Sequence, residues 1–113
     1  MSLDVCLRSK ACPHCGHSEV LWDGNVTHNL VPMAQEANLY SVIWNPESIG
    51  ITKAEELIAP LRAGLALMMA DPSRFEQHNP DNGWGNYVNF VQWIKNYLLV
   101  CEKNPDAEIS TNR

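Results

Sequence analysis

The sequence predicts an α+β fold, a small antiparallel sheet packed by about three helices. Three observations carry this. Short runs near residues 3–7, 19–27 and 107–111 hold β-type residues or apolar–polar alternation. Between them, apolar residues recur at helical spacing over 30–43, 53–70 and 86–103. The chain has 113 residues, so 1–113 reads as a single domain with one core.

Each element has its own warrant. Leu3, Val5 and Leu7 alternate with Asp4 and Cys6, the signature of a half-buried strand. A polar loop follows. Val20, Leu21, Trp22, Val26 and Thr27 then form a second strand, and Asp23-Gly24 predicts a turn or bulge within it. Asn29 is placed to cap a helix from Leu30, with Pro32 tolerated in its first turn and Leu30, Met33, Ala34 and Ala37 on one face. The apolar stretch from Tyr40 to Trp44 ends at Asn45-Pro46. Thr52-Lys53-Ala54-Glu55 reads as a capping box, Thr52 as N-cap and Glu55 three residues on. Behind it Ala54, Leu57, Ile58, Leu61, Leu65 and Met68 keep helical spacing, and Pro60 predicts a kink or a division. Asp71-Pro72 ends that helix, and residues 75–85 read as loop. In the last helix Tyr87, Phe90, Val91, Ile94, Tyr97, Leu98 and Cys101 form the buried stripe, with Trp93 and Val100 beside it. Asn104-Pro105 stops it, and Ile109 among polar residues predicts a final strand that can pair with the first.

Hydrophobic residues make up 45% and charged residues 19%, a globular composition. Eight Lys plus Arg against thirteen Asp plus Glu give a net charge of −5. That balance argues against nucleic-acid binding, which runs on phosphate neutralisation, and against docking on anionic membrane. No apolar run approaches the roughly 18 residues of a membrane span. The opening Met1-Ser2-Leu3-Asp4-Val5 carries no basic segment followed by an apolar one, so the expected compartment is a reducing cytoplasm.

That compartment decides how the four cysteines read: Cys6, Cys12, Cys15 and Cys101 are not expected to form disulfides. Cys12-Pro13-His14-Cys15-Gly16 instead has the form of a metal knuckle. Its two thiolates sit a short turn apart, Pro13 presets the turn, and Gly16 permits the positive φ that brings backbone amides to sulfur. The same spacing also fits a redox pair or a plain loop, but the redox pair opens a helix after a strand, whereas here a strand follows. Zinc is therefore the expected cofactor. It needs two further ligands, for which His28 and His17 are best placed, with Cys6 in reserve. Cys101 reads as a small buried residue on a helix.

The other candidate surface is the loop Asn79-Pro80-Asp81-Asn82-Gly83-Trp84-Gly85-Asn86-Tyr87. Trp84, Asn82, Tyr87 and Asn29 read as binding residues for a partner or a small polar ligand. The plainer alternative is a helix cap with Trp84 packed back on the core. Nothing assembles an enzyme: there is no phosphate loop, no nucleophile elbow and no H-E-x-x-H. An open zinc site could support hydrolysis, with Glu19 the acidic residue nearest the knuckle.

The knuckle, the Asn25-Val26-Thr27-His28-Asn29-Leu30 segment with Met33-Ala34, and the Asn-Gly-Trp-Gly loop together resemble a family of small, mostly uncharacterised bacterial and phage-encoded proteins. The resemblance also takes in Met1-Ser2-Leu3-Asp4-Val5, Ile51-Thr52-Lys53-Ala54 and Pro105-Asp106-Ala107, nearly the whole chain. It implies a genomic setting and no mechanism, and it implies that Cys12, Cys15 and His28 act together. The expected function is a non-catalytic, zinc-stabilised binding protein engaging a partner protein, with a small-ligand binder and a zinc-dependent hydrolase as alternatives.

Overall fold

The computed structural model describes residues 2–9, 14–79 and 85–113. Three strands form the sheet: β1 (Ser2–Arg8), β2 (Val20–Thr27) and β3 (Glu108–Asn112), in the order β2-β1-β3, both pairings antiparallel. The first and last strands therefore pair, as the sequence predicts, with Asp4 opposite Asn112. Leu3, Val5 and Leu7 are fully buried on the inner face of the central strand. The outer face is polar; there the Asn25 amide donates to Asp4 Oδ1 (2.6 Å) and to Ser2 Oγ (2.9 Å).

No turn or bulge forms at Asp23-Gly24. Gly24 pairs with Val5 in an uninterrupted strand. Gly24 is there because the Trp22 ring folds over it, and a Cβ at this position would collide with that ring. The irregularity lies nearer the loop, where Leu7 faces Trp22 but Arg8 faces Val20, leaving Leu21 as the extra residue.

The predicted helix over 30–43 is two short helices, α1 (Val31–Glu36) and α2 (Tyr40–Trp44), preceded by a 3-10 turn, His28–Leu30. Thr27, not Asn29, caps that turn: its Oγ accepts from the Asn29 N–H at 3.3 Å. The break has a local cause. Asn38 takes φ 60°, the Leu39 N–H donates to the Ala34 carbonyl and the Asn38 N–H to the Gln35 carbonyl. That is a Schellman stop with Asn at the left-handed position.

Helix α3 (Ala54–Ala70) starts one residue later than predicted: Lys53 is the N-cap, its side chain has no acceptor to offer, and Glu56 supplies one half of the box by accepting from the N–H groups of Thr52 and Lys53. Pro60 does not divide it. The buried seam of Ala54, Leu57, Leu61, Gly64 and Met68 runs through the proline, and its burial offsets the missing hydrogen bond. A further helix, α4 (Pro72–Glu76), follows Asp71 and takes up the first two residues of the predicted 75–85 loop, with Phe75 fully buried.

The last helix, α5 (Tyr87–Lys103), buries the seven residues of its predicted stripe, and Asn86 caps it by accepting from the Asn89 N–H. It lies antiparallel to α3, with the Tyr87 hydroxyl donating to the Met68 carbonyl at one end and Arg62 facing Glu102 toward the other. Burial pushes the Cys101 thiol up to about 12, so it behaves as the small apolar residue the sequence predicts. A chain of rings joins helices to sheet: Trp22 stacks on Tyr97 (5.1 Å, 16°), Trp93 meets Tyr97 edge-on (5.3 Å, 68°), and Phe90 links Trp93 to Trp44.

Candidate functional site

The β1–β2 loop is clamped at its base. The Ser9 N–H donates to the Glu19 carbonyl and the Glu19 N–H to Ser9 Oγ, both at 2.8 Å. His14 and Cys15 lie in an exposed turn beyond the clamp, and Gly16 takes φ +71°, the left-handed conformation a knuckle glycine needs. Cys12 lies outside the described residues. His17 is exposed, two residues after Cys15.

His28 stands at the other end of the hairpin. From Val20 to Thr27 the strand rises roughly 23 Å, at about 3.3 Å per residue. Among the described residues no three His, Cys, Asp or Glu side chains converge in a group that could hold a metal. The fold therefore does not gather Cys15, His17 and His28. His28, one of the two histidines expected to complete the site, is carried away from the knuckle because β2 runs its full length in between. Cys6 is half-buried in mid-strand, opposite Asp23 and Ser110.

The fold does bring two other sequence motifs together. Gly85, at the end of the Asn-Gly-Trp-Gly loop, has φ +89°, and a Cβ there would stand 2.8 Å from Thr27 Cγ2 and 3.1 Å from Leu30 Cδ1. Only glycine fits both the conformation and the contact. Beside this meeting point lies a cleft of about 190 Å³. Val26, Thr27, Leu30, Phe90 and Trp93 supply its walls, and Asn25 and Asn89 its amides. No charged residue lines it among the described residues.

Of the predicted binding residues, Asn82 and Trp84 lie outside the described residues. Asn29 is exposed and its N–H closes the Thr27 turn. Tyr87 is buried and engaged inward, its N–H donating to Asn79 Oδ1 at 2.8 Å and its hydroxyl to Met68. Burial raises its phenol above the ordinary range, with Glu76 adding to the effect. His28 is half-buried with its ring 6.5 Å from that of Trp44. Four buried polar atoms find no hydrogen-bond partner among the described residues: His28 Nε2, Trp44 Nε1, Trp93 Nε1 and the Tyr97 hydroxyl. Of the residues bearing them, Trp93 also lines the cleft.

Val26, Asn89, Phe90 and Trp93 are site residues that sequence reasoning did not single out. A signal existed for Trp93, which sits beside the buried stripe of α5 rather than in it. For Val26 and Phe90 none did, because a residue that walls a cleft and one that fills a core show the same apolar periodicity. Comparisons of the chain with protein-family models, with curated proteins and with solved structures each find no match.

Proposed function

We propose that the chain is a non-catalytic, zinc-stabilised binding protein that engages a partner protein. The observation that carries the binding reading is the seating of Gly85 on Thr27 and Leu30 beside a ring-walled cleft with no charged residue among its described walls. Two segments distant in sequence are held there in one surface by close packing, the arrangement a recognition site requires. The zinc reading is supported by the left-handed Gly16 behind an exposed Cys15. Cys12 and Cys15 would be the thiolate ligands, and His17 is the nearest further candidate. In a bacterial or phage setting, such as the family resemblance implies, the partner would be a host protein of the cytoplasm.

Two measurements test this. Protein purified without added metal or chelator should carry one zinc per chain, and Cys12→Ser with Cys15→Ser should abolish it. Absence of zinc, with both thiols freely titratable, would remove the metal from the proposal. A screen of nucleotides and metabolites by thermal shift tests the small-ligand alternative, since a ligand bound to the folded state raises the melting temperature by mass action. A robust shift there would displace the partner-protein reading. The hydrolase alternative requires an open coordination position, and four protein ligands on the zinc would exclude it.

A further inference from the structure

We propose that the cleft between the end of β2 and the start of α5 is a socket for one neutral aromatic side chain of the partner, a tyrosine. This rests on the partner-protein reading above. Size argues first. Small-molecule pockets run from roughly 300 to 1,000 Å³, whereas an apolar cavity of about 150 Å³ already holds a benzene ring. At about 190 Å³ the cleft fits a single substituted ring.

The walls argue next. Phe90 and Trp93 offer aromatic surface, and Val26, Leu30 and the Thr27 methyl offer aliphatic surface. A flat apolar occupant gains both burial and ring contacts there. With no charged residue among the described walls, a charged side chain would lose its hydration without a counter-charge. Polarity selects among the rings. Asn89 is exposed and puts a side-chain amide, a hydrogen-bond donor, among the lining residues. An occupant with an oxygen acceptor at its tip satisfies such a donor; phenylalanine does not.

The surroundings fix what flanks that ring. The chain carries a net charge of −5, and Asp4 bonds directly to Asn25, one of the lining residues. A tyrosine between basic residues complements this rim.

The probe is N-acetyl-L-tyrosinamide, titrated into full-length ¹⁵N-labelled protein, with N-acetyl-L-alaninamide and adenosine as comparators. Saturable movement of the Trp93 indole N–H and the Gly85 amide with tyrosinamide alone is the expected result. No movement, or equal movement with either comparator, overturns the socket. Asn89 is exposed, so Asn89→Trp can plug the cleft from its rim without disturbing the core. It should weaken tyrosinamide at least tenfold, while Lys95→Trp, an exposed position of the same helix outside the lining, should not. Partner capture separates the two proposals. A partner held by wild type and released by Asn89→Trp supports the socket. A partner held equally by both overturns it and leaves the partner reading intact. A partner held by neither overturns that reading, and the titration still decides whether the cleft takes a ring.

Discussion

Trp22 and Gly24 show how a strand-weakening residue can be required by its neighbour. The outer edge of the indole sits where a Gly24 side chain would begin, and the ring stacks on Tyr97, so it covers backbone that a side chain would otherwise cover. Gly24→Val, although a better strand former, should cost about 1–3 kcal/mol through overpacking, read as a lower urea midpoint at unchanged slope. Tyr97 gives the opposite case. Its hydroxyl is buried without a partner among the described residues, and burial pushes its ionisation far above the ordinary range. Tyr97→Phe removes a polar atom that had lost its water and keeps the stacked ring. It should melt at or above the wild-type temperature, and a marked drop would mean that the hydroxyl has a bonding partner.

At the scale of elements, α4 was hidden in sequence by its length. Its five residues, Pro72–Glu76, are too few to show periodicity, so the fully buried Phe75 read as loop. Phe75→Ala should destabilise by about 3–5 kcal/mol, which calorimetry would register. Other elements were legible because their signals were long or redundant: the stripe of α5, from Tyr87 to Cys101, spans about four turns, and alternation in β1 is strict. The stop at Asn38 was not legible, since Ala37 and Leu39 continue the apolar pattern and a left-handed asparagine shows only in its backbone. The candidate site was half legible. The Thr-His-Asn segment and the Gly85 loop stood out in sequence, but their meeting depends on how α5 crosses β2.

The same elements set the acid response. The Arg74 guanidinium hydrogen-bonds Glu36, holding its carboxyl below the usual range and tying α4 to α1. The backbone N–H groups of Thr52 and Lys53 do the same for Glu56 at the start of α3. Both groups are lower in the folded than in the unfolded chain. Their stabilisation is therefore complete above the unfolded value near 4.5 and is lost as pH falls through the folded values. Melting temperature should fall below about pH 5, and Glu36→Gln with Glu56→Gln should melt lower at pH 7 and lose less on acidification.

For the whole molecule, the arrangement of parts decides what a metal can stabilise. The helical pair α3–α5 and the inner sheet face share one buried cluster, which takes in Leu3, Leu57, Phe90 and Ile94. The knuckle turn belongs to none of it: His14, Cys15 and His17 are exposed beyond the Ser9–Glu19 clamp. Zinc held there would fix the loop and the end of the hairpin, not the packing of the core. Binding free energy then appears as local order. Hydrogen exchange before and after chelation should show faster exchange confined to the loop and the Arg8–Val20 end of the β1–β2 ladder, with Ile94, Leu98 and Leu61 amides unchanged. The far end of that ladder, where Ser2 pairs with Thr27 beside the cleft, should also hold. Tyrosinamide binding would then survive metal removal. If stripping the metal instead released the α5 amides and the probe together, the knuckle and the cleft would form one cooperative unit, and the zinc would act on the binding surface directly.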